Sequence, residues 1–305
     1  YLAYGGDPKK LLDEILGHNI GLCSGIGGSQ HLKYNNFFSN GILGGMQPIA
    51  LGLALAKKIE SHKGIVFSFL GDGALGEGVV YETFNISSLW KLPILFILEN
   101  NQYAQSTNIK DNLAGSIVKR FEAFGIKTTE ISSNDIELLS DKFDKIINKI
   151  RSNQEPQCII VNTYRLAAHS KGDDDRDLEE IEYWKKFEPI ALIRNKIDNK
   201  TFKKIKDEVE DEIIELKESC LDQNNKINFN RKNKTPITIK NALFSNEEIF
   251  GVTSLNNCLK ELLDKYDNAY IIGEDIKDPY GGAFKVTKNL STTFKDKVFS
   301  TPISE

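Results

Sequence analysis

Asp72 lies between Gly71 and Gly73, and Asn101 lies in the run Glu99-Asn100-Asn101-Gln102-Tyr103. A carboxylate, an Asn amide oxygen and a nearby backbone carbonyl make a hard-oxygen donor set suited to Mg²⁺. That ion takes few protein ligands and fills its shell with waters and substrate phosphates. The two glycines permit a tight turn, and the N–H groups that follow, from Gly73 and Ala74 onward, can face a phosphate. The same triplet also suits a plain strand-to-helix turn, so by itself it does not separate ligand from turn.

The flanking segments say where these residues emerge. Residues 65–70 (IVFSFL) are an apolar run of strand length ending at glycine. Residues 77–90 place Val80, Phe84, Ser87 and Ser88 at helical spacing, and Pro93 closes that helix. Residues 94–98 (ILFIL) predict a second buried strand. Strand, helix and strand form one right-handed crossover, so the strands are expected to run parallel. Asp72 and Asn101 then leave the carboxyl ends of parallel strands, where open α/β sheets bind ligands.

Twenty-six residues separate Gly73 from Asn100. The pattern GDG-x(25–30)-NN resembles that of thiamine-diphosphate-dependent enzymes. The longer stretch GDGALGEGVVYETFN…LWKLPILFILENNQYAQST is similar to the α subunit of the 2-oxoacid dehydrogenase E1 component. The resemblance implies that Asp72, Asn101 and the carbonyl of Tyr103 hold Mg²⁺, with Gly73, Ala74 and Asn101 against thiamine diphosphate. NGILGG at 40–45 is similar to the family's NGIVG turn, which implies main-chain contacts from Gly41 and Leu43 to the aminopyrimidine ring. TYRLAAHS at 163–170 follows the apolar strand candidate 158–161 (CIIV). An Arg and a His there suit a phosphate or a developing negative charge, or equally a solvated loop. The segment resembles the family's YRxxxHS loop, implying diphosphate contacts from Arg165 and His169 and proton handling by His169. Ala167 and Ala168 stand where the family often has a further His or Gly. GGSQH at 27–31 is similar to the family's GGSMH segment and brings in His31, and Ser170 occupies the position phosphorylated in some E1 α subunits.

Composition narrows the classes. At 305 residues, 40% hydrophobic and 27% charged, the chain reads as a globular protein of one large or two ordinary domains. A net charge of −4 gives no reason to expect nucleic acid or an anionic membrane as partner, and no apolar run is long enough to span a bilayer. Cys23, Cys158, Cys220 and Cys258 are widely spaced without a metal-binding pattern, so reduced thiols are expected. The start at Tyr1, and an end immediately after a motif, suggest a piece of a longer protein.

Helices are expected over residues 11–17, 48–60, 115–124, 135–150, 178–187, 201–219 and 252–266, and strands over 126–131 and 269–272. The 201–219 helix is expected to bury the stripe of Phe202, Ile205, Val209, Ile213 and Leu216. The 171–177 run (KGDDDRD) is expected to be a charged, mobile surface loop, and Thr253 or Ser254 to cap the 252–266 helix. Residues 222–240 are Asn- and Lys-rich and predict a linker. Past it, GEDIKDPYGGAFKVT and TPISE resemble the start of the E1 β subunit, which implies that Glu305 is the carboxyl that activates the thiamine ring. Organisation is therefore expected as an α-like cofactor- and Mg-binding domain at 1–220, a linker at 221–250, and the truncated start of a β-like pyrimidine-binding domain at 251–305. The fold expected is α/β, a doubly wound parallel sheet of the thiamine-diphosphate-binding fold with the beginning of a second α/β domain.

The resemblance implies oxidative decarboxylation of a 2-oxoacid and acyl transfer to a lipoylated E2 component, by a homodimer or larger assembly of the fused chain. KLPILF and TPISE look pyruvate- or acetoin-type, whereas GDDDRDLEEIEYWKKFEPI is similar to the branched-chain group, towards which the reading leans. Acetoin dehydrogenase and a catalytically inactive scaffold of the complex are the rivals. A bacterial cytoplasm is expected, with a mitochondrial or plastid matrix as the alternative.

Overall fold

The computed structural model describes residues 1–170, 174–221 and 250–301. Its principal helices are α1 (Pro8–Ile15), α2 (Met46–Ile59), α3 (Gly78–Leu89), α4 (Ile117–Glu122), α5 (Ile136–Asn153), α6 (Leu178–Lys185), α7 (Pro189–Arg194), α8 (Asn199–Leu221) and α9 (Gly251–Lys265). The principal strands are β1 (Val66–Gly71), β2 (Ile94–Asn100), β3 (Lys127–Ile131), β4 (Gln157–Asn162), β5 (Ile271–Glu274) and β6 (Val298–Thr301). The chain forms two compact units, one of Tyr1–Ile42 with Lys196–Glu248 and one of Leu43–Asn195 with Ile249–Glu305.

The larger unit is built on a parallel sheet in the order β1-β2-β4-β3. β1 pairs with β2 from Val66↔Ile94 to Gly71↔Glu99, and β2 pairs with β4 from Leu95↔Gln157 to Asn100↔Asn162. Side chains alternate across each strand, and both faces of the central strands β2 and β4 are covered, so these strands are apolar over 94–98 and 158–161, whereas Phe67 and Phe69 of β1 are 44% and 58% exposed. Ile94, Phe96 and Leu98, with Cys158 and Ile160, pack on one face against Ala50 and Ala54 of α2, Val80 and Phe84 of α3 and Phe121 of α4. The Phe84 ring lies 4.9 Å from Phe96 and 4.5 Å from Phe121. Leu95, Ile97 and Ile159 face the other way, onto Ile146 and Ile150 of α5. The parallel crossover expected around residues 65–98 is thus present, with helices on both sides. Ala50 and Ala54 are buried against the sheet, as small residues permit.

Asp135 starts α5 by accepting a hydrogen bond from Glu137 N at 3.0 Å. Replacing it with Ala should destabilise the protein by about 1 kcal/mol, read as a lower urea midpoint at unchanged slope. An unchanged midpoint would show that this cap contributes nothing.

The remainder of this unit pairs β5 with β6 in parallel, over a small core of Leu263, Leu290 and Val298. Here α9 starts one turn earlier than its polar residues suggest. Its N-cap is Phe250, without a side-chain bond, and Thr253 and Ser254 lie inside the helix. The expected 269–272 strand is shifted to Ile271–Glu274, and the 115–124 helix contracts to Ile117–Glu122, capped by Ser116. α7, not anticipated, begins at the Glu188 cap and Pro189.

In the smaller unit α1 packs with α8, and the glycine- and serine-rich loop folds around Glu14. That fully buried carboxylate accepts the N–H groups of Cys23, Gly25 and Gly27 at 2.6, 2.8 and 2.6 Å. The apolar stripe of α8 departs from expectation: Ile205, Val209 and Ile213 are 50%, 48% and 58% exposed rather than buried. No helix among the described residues is long and apolar enough to cross a membrane.

Candidate active site

Two turns meet at the carboxyl end of the sheet. β1 ends at Gly71 and passes into a short turn of helix, Asp72–Gly76, in which Asp72, Gly73, Ala74 and Leu75 are buried. β2 ends at Asn100, and after Asn101 and Gln102 the chain forms a tight hairpin of Tyr103–Ala104 with Thr107–Asn108. Asp72 fastens one turn to the other. Its Oδ2 accepts the Gln102 N–H at 2.7 Å while its Oδ1 accepts the Gly73 N–H at 2.8 Å. Asn101 Oδ1 accepts the Tyr103 N–H at 3.0 Å. Gly73 is required by contact rather than by φ, because a Cβ there would lie 2.8 Å from the Ala104 methyl. Ala74 packs its side chain into the core beneath the turn.

Burial raises the Asp72 carboxyl above the usual carboxylate range, opposed by the Gln102 and Gly73 N–H groups and by the charge of Arg165. Each Asp72 oxygen accepts one N–H and retains acceptor capacity. Among the described residues no group of three or more His, Cys, Asp and Glu side chains could hold a metal. An all-carboxylate or imidazole cage is therefore absent there, and the turns offer one carboxylate, one amide oxygen and main-chain carbonyls. That set fits Mg²⁺, which keeps several waters and uses one or two carboxylates. A raised acid has a definite consequence. Without a cation, the Asp72 proton favours the fold at low pH, and this contribution fades as pH climbs from the unfolded carboxylate range through the raised value. With Asp72 as a ligand, cation binding releases up to one proton per ion and Mg²⁺ affinity should rise with pH across the same window, by calorimetry in buffers of different ionisation heat. Binding without proton release in that window would remove Asp72 from the ligand set.

Arg165 and His169 leave β4 at the same end of the sheet. Arg165 donates to the Gln105 carbonyl at 2.5 Å, which ties its loop to the Tyr103–Asn108 hairpin, and to the Ala167 carbonyl at 3.2 Å. Exposed His169 pairs its Nδ1 with Ser170 Oγ at 2.9 Å, and burial pushes the Asp275 carboxyl up, opposed by the Thr107 hydroxyl. Half-buried Leu43 packs against the main core. Exposed Gly41 and His31 belong to the smaller unit, where a Cβ on Gly41 would strike Gln30 Oε1. Glu305 lies outside the described residues.

In the 171–177 run Asp174, Asp175 and Asp177 are exposed, as expected of a charged surface loop, and Arg176 departs from that expectation. Its side chain is 2% exposed, and Nε and Nη2 grip the two oxygens of Asp174, each at 2.7 Å. The guanidinium sits 5.4 Å from the Tyr103 ring and 5.1 Å from the Tyr164 ring, and it donates to the carbonyls of Arg165 and Ala167. Tyr164 stacks on Trp184 of α6 at 5.2 Å, and burial pushes its phenol up to about 12. Tyr103 donates its hydroxyl to Glu180 at 2.9 Å. Arg176 thus joins the turn of Asn101 and Tyr103 to the loop of Arg165 and His169. A polar cleft of about 660 Å³ opens beside them, lined by Tyr103, Thr107, Arg176, Asp275, Tyr280 and Ser300 among others.

Turns fused at the carboxyl end of a helix-covered parallel sheet define an α/β ligand-binding site. The profile of the family described as dehydrogenase E1 component matches residues 1–270, and the chain belongs to that family. It is 39% identical over 196 residues to the pyruvate dehydrogenase E1 component subunit alpha of Rickettsia bellii, covering 62% of this chain and 60% of that protein. The Zymomonas mobilis subunit of the same name is 35% identical over 179 residues, covering 57% and 51%. The Dictyostelium discoideum subunit, named mitochondrial, is 30% identical over 253 residues, covering 80% and 64%. The chain spans about three-fifths of the length of the Rickettsia bellii and Rickettsia felis subunits.

Proposed function

We propose that this chain carries the cofactor-binding half of a thiamine-diphosphate-dependent 2-oxoacid dehydrogenase E1 component. The observation that supports it most is the Asp72–Gln102 hydrogen bond at 2.7 Å, which draws the GDG and NN turns together. Asp72, Asn101 and the Tyr103 carbonyl hold Mg²⁺ in this reading, with the Gly73 and Ala74 main chain beside the diphosphate. Arg165 and His169 neutralise phosphate charge, and His169 moves a proton to or from the substrate oxygen. Gly41 and Leu43 offer main-chain groups to the aminopyrimidine ring, and Glu305 shares a proton with its N1′. Thiamine diphosphate, when bound, supplies the acidic carbon and the electron sink.

Residues 1–220 are the α-like part, 221–250 a linker and 251–305 the opening of a β-like domain. The names of the relatives favour pyruvate over a branched-chain oxoacid, against the lean of residues 172–190. Lipoylated E2 is the acyl acceptor, and the protein works as a homodimer or larger assembly. A bacterial cytoplasm or a mitochondrial matrix agrees with the sources of the relatives. The test is Mg²⁺-dependent thiamine diphosphate binding, then reduction of an artificial acceptor with pyruvate, 3-methyl-2-oxobutanoate or acetoin. Turnover of pyruvate above the others is expected. Cofactor binding with no turnover of any of the three would leave a scaffold, and no binding would defeat the reading.

A further inference from the structure

In the smaller unit a row of reactive side chains stands apart from every residue used above. Cys220, buried near the end of α8, accepts a hydrogen bond from Lys9 Nζ of α1 at 3.6 Å. The same ammonium is 3.1 Å from Asp13 Oδ2, and Asp13 Oδ1 is 2.8 Å from His18 Nδ1. Asp13 and His18 are 1% and 4% exposed, whereas the Lys9 side chain is 37% exposed. The amine therefore reaches the surface between a buried thiol on one side and a buried Asp–His pair on the other. All four cysteines are free, so Cys220 is not held in a disulfide.

We propose that Lys9 and Cys220 are a modification site, at which hydrogen peroxide drives a covalent sulfur–nitrogen cross-link between α1 and α8. Peroxide first takes two electrons from sulfur: its O–O bond breaks, one oxygen becomes Cys220 sulfenic acid and the other leaves as water. The neutral amine of Lys9, its extra proton given up to solvent against the hold of Asp13, attacks that sulfur. The S–O bond breaks, the S–N bond forms, and the oxygen departs as a second water. Overall, thiol, amine and one peroxide give the sulfenamide and two waters. A thiol reductant reverses the link. Holding amine and sulfur 3.6 Å apart makes this condensation effectively unimolecular, so it outruns further oxidation of the sulfur.

The test treats the whole chain with one equivalent of hydrogen peroxide at neutral pH and maps the products by proteolysis and mass spectrometry. The expected product joins the Lys9 and Cys220 peptides at the sum of their masses less two hydrogens, and dithiothreitol separates them. Lys9→Arg keeps the charge and the Asp13 pairing but loses the link completely, and Cys220 proceeds to sulfinic acid. The proposal is overturned if wild-type Cys220 becomes sulfinic acid beside unmodified Lys9. It is equally overturned if Cys220 stays reduced while Cys258 oxidises, or if Lys9→Arg shows the same loss of two hydrogens at Cys220. None of these outcomes depends on cofactor binding at the parallel sheet.

Discussion

Asp72→Ala removes Mg²⁺-dependent binding of thiamine diphosphate, lowering affinity by more than about 100-fold, beyond the 10- to 100-fold lost with a mere supporting partner of a metal ligand. In the proposed reading the carboxylate is the negatively charged ligand of the ion, and it also accepts the Gln102 and Gly73 N–H groups. Alanine deletes both functions, so part of its effect is loosening of the turns. Asp72→Asn separates them in part, because the amide oxygen still accepts from Gln102 but carries no charge, while its Nδ2 cannot accept the Gly73 N–H. The same loss of affinity is expected in Asp72→Asn, with some loss of stability from the unmet Gly73 N–H, by calorimetry and thermal denaturation. Unchanged affinity in either variant would take the metal away from this turn.

Arg176→Ala should cost roughly 3 kcal/mol, at the low end for breaking a buried ion pair because Asp174 is partly exposed. Removing the guanidinium also empties the space between the Tyr103 and Tyr164 rings and takes away its hydrogen bonds to the carbonyls of Arg165 and Ala167. The loop of Arg165 and His169 should then be cut faster by protease, and cofactor affinity should fall although Asp72 and Asn101 are untouched. Arg176→Lys is not expected to rescue, since an ammonium cannot grip Asp174 with a planar fork while lying between two rings. Wild-type cofactor affinity and protease resistance in both variants would show that the loop is held by other contacts.

The contrast between these two residues explains what the sequence makes legible. Asp72 and Asn101 are readable because glycines, apolar runs and one crossover fix where they emerge, through local rules of period and handedness. Gln102 shows no side-chain chemistry, and its part is played by a main-chain N–H whose partner lies across a turn. Arg176 sits in KGDDDRD, a run that looks like any solvated charge cluster, and only the fold supplies the two rings. The stripe on α8 shows the same limit from the other side. Periodicity in Ile205, Val209 and Ile213 reports an apolar face, not what lies over it. Caps are intermediate: Asp135 works as its type suggests, whereas Thr253 and Ser254 yield to Phe250 because α9 begins a turn before them.

The most direct measurement is a crystal structure of the chain with thiamine diphosphate and Mn²⁺ in place of Mg²⁺, the ion located by its anomalous signal. The expected peak lies about 2.0–2.2 Å from an Asp72 carboxylate oxygen, with Asn101 Oδ1 turned from the Tyr103 N–H towards the ion and the Tyr103 carbonyl completing the protein ligands. A peak elsewhere, or none while Asn101 keeps its bond to Tyr103, would contradict it.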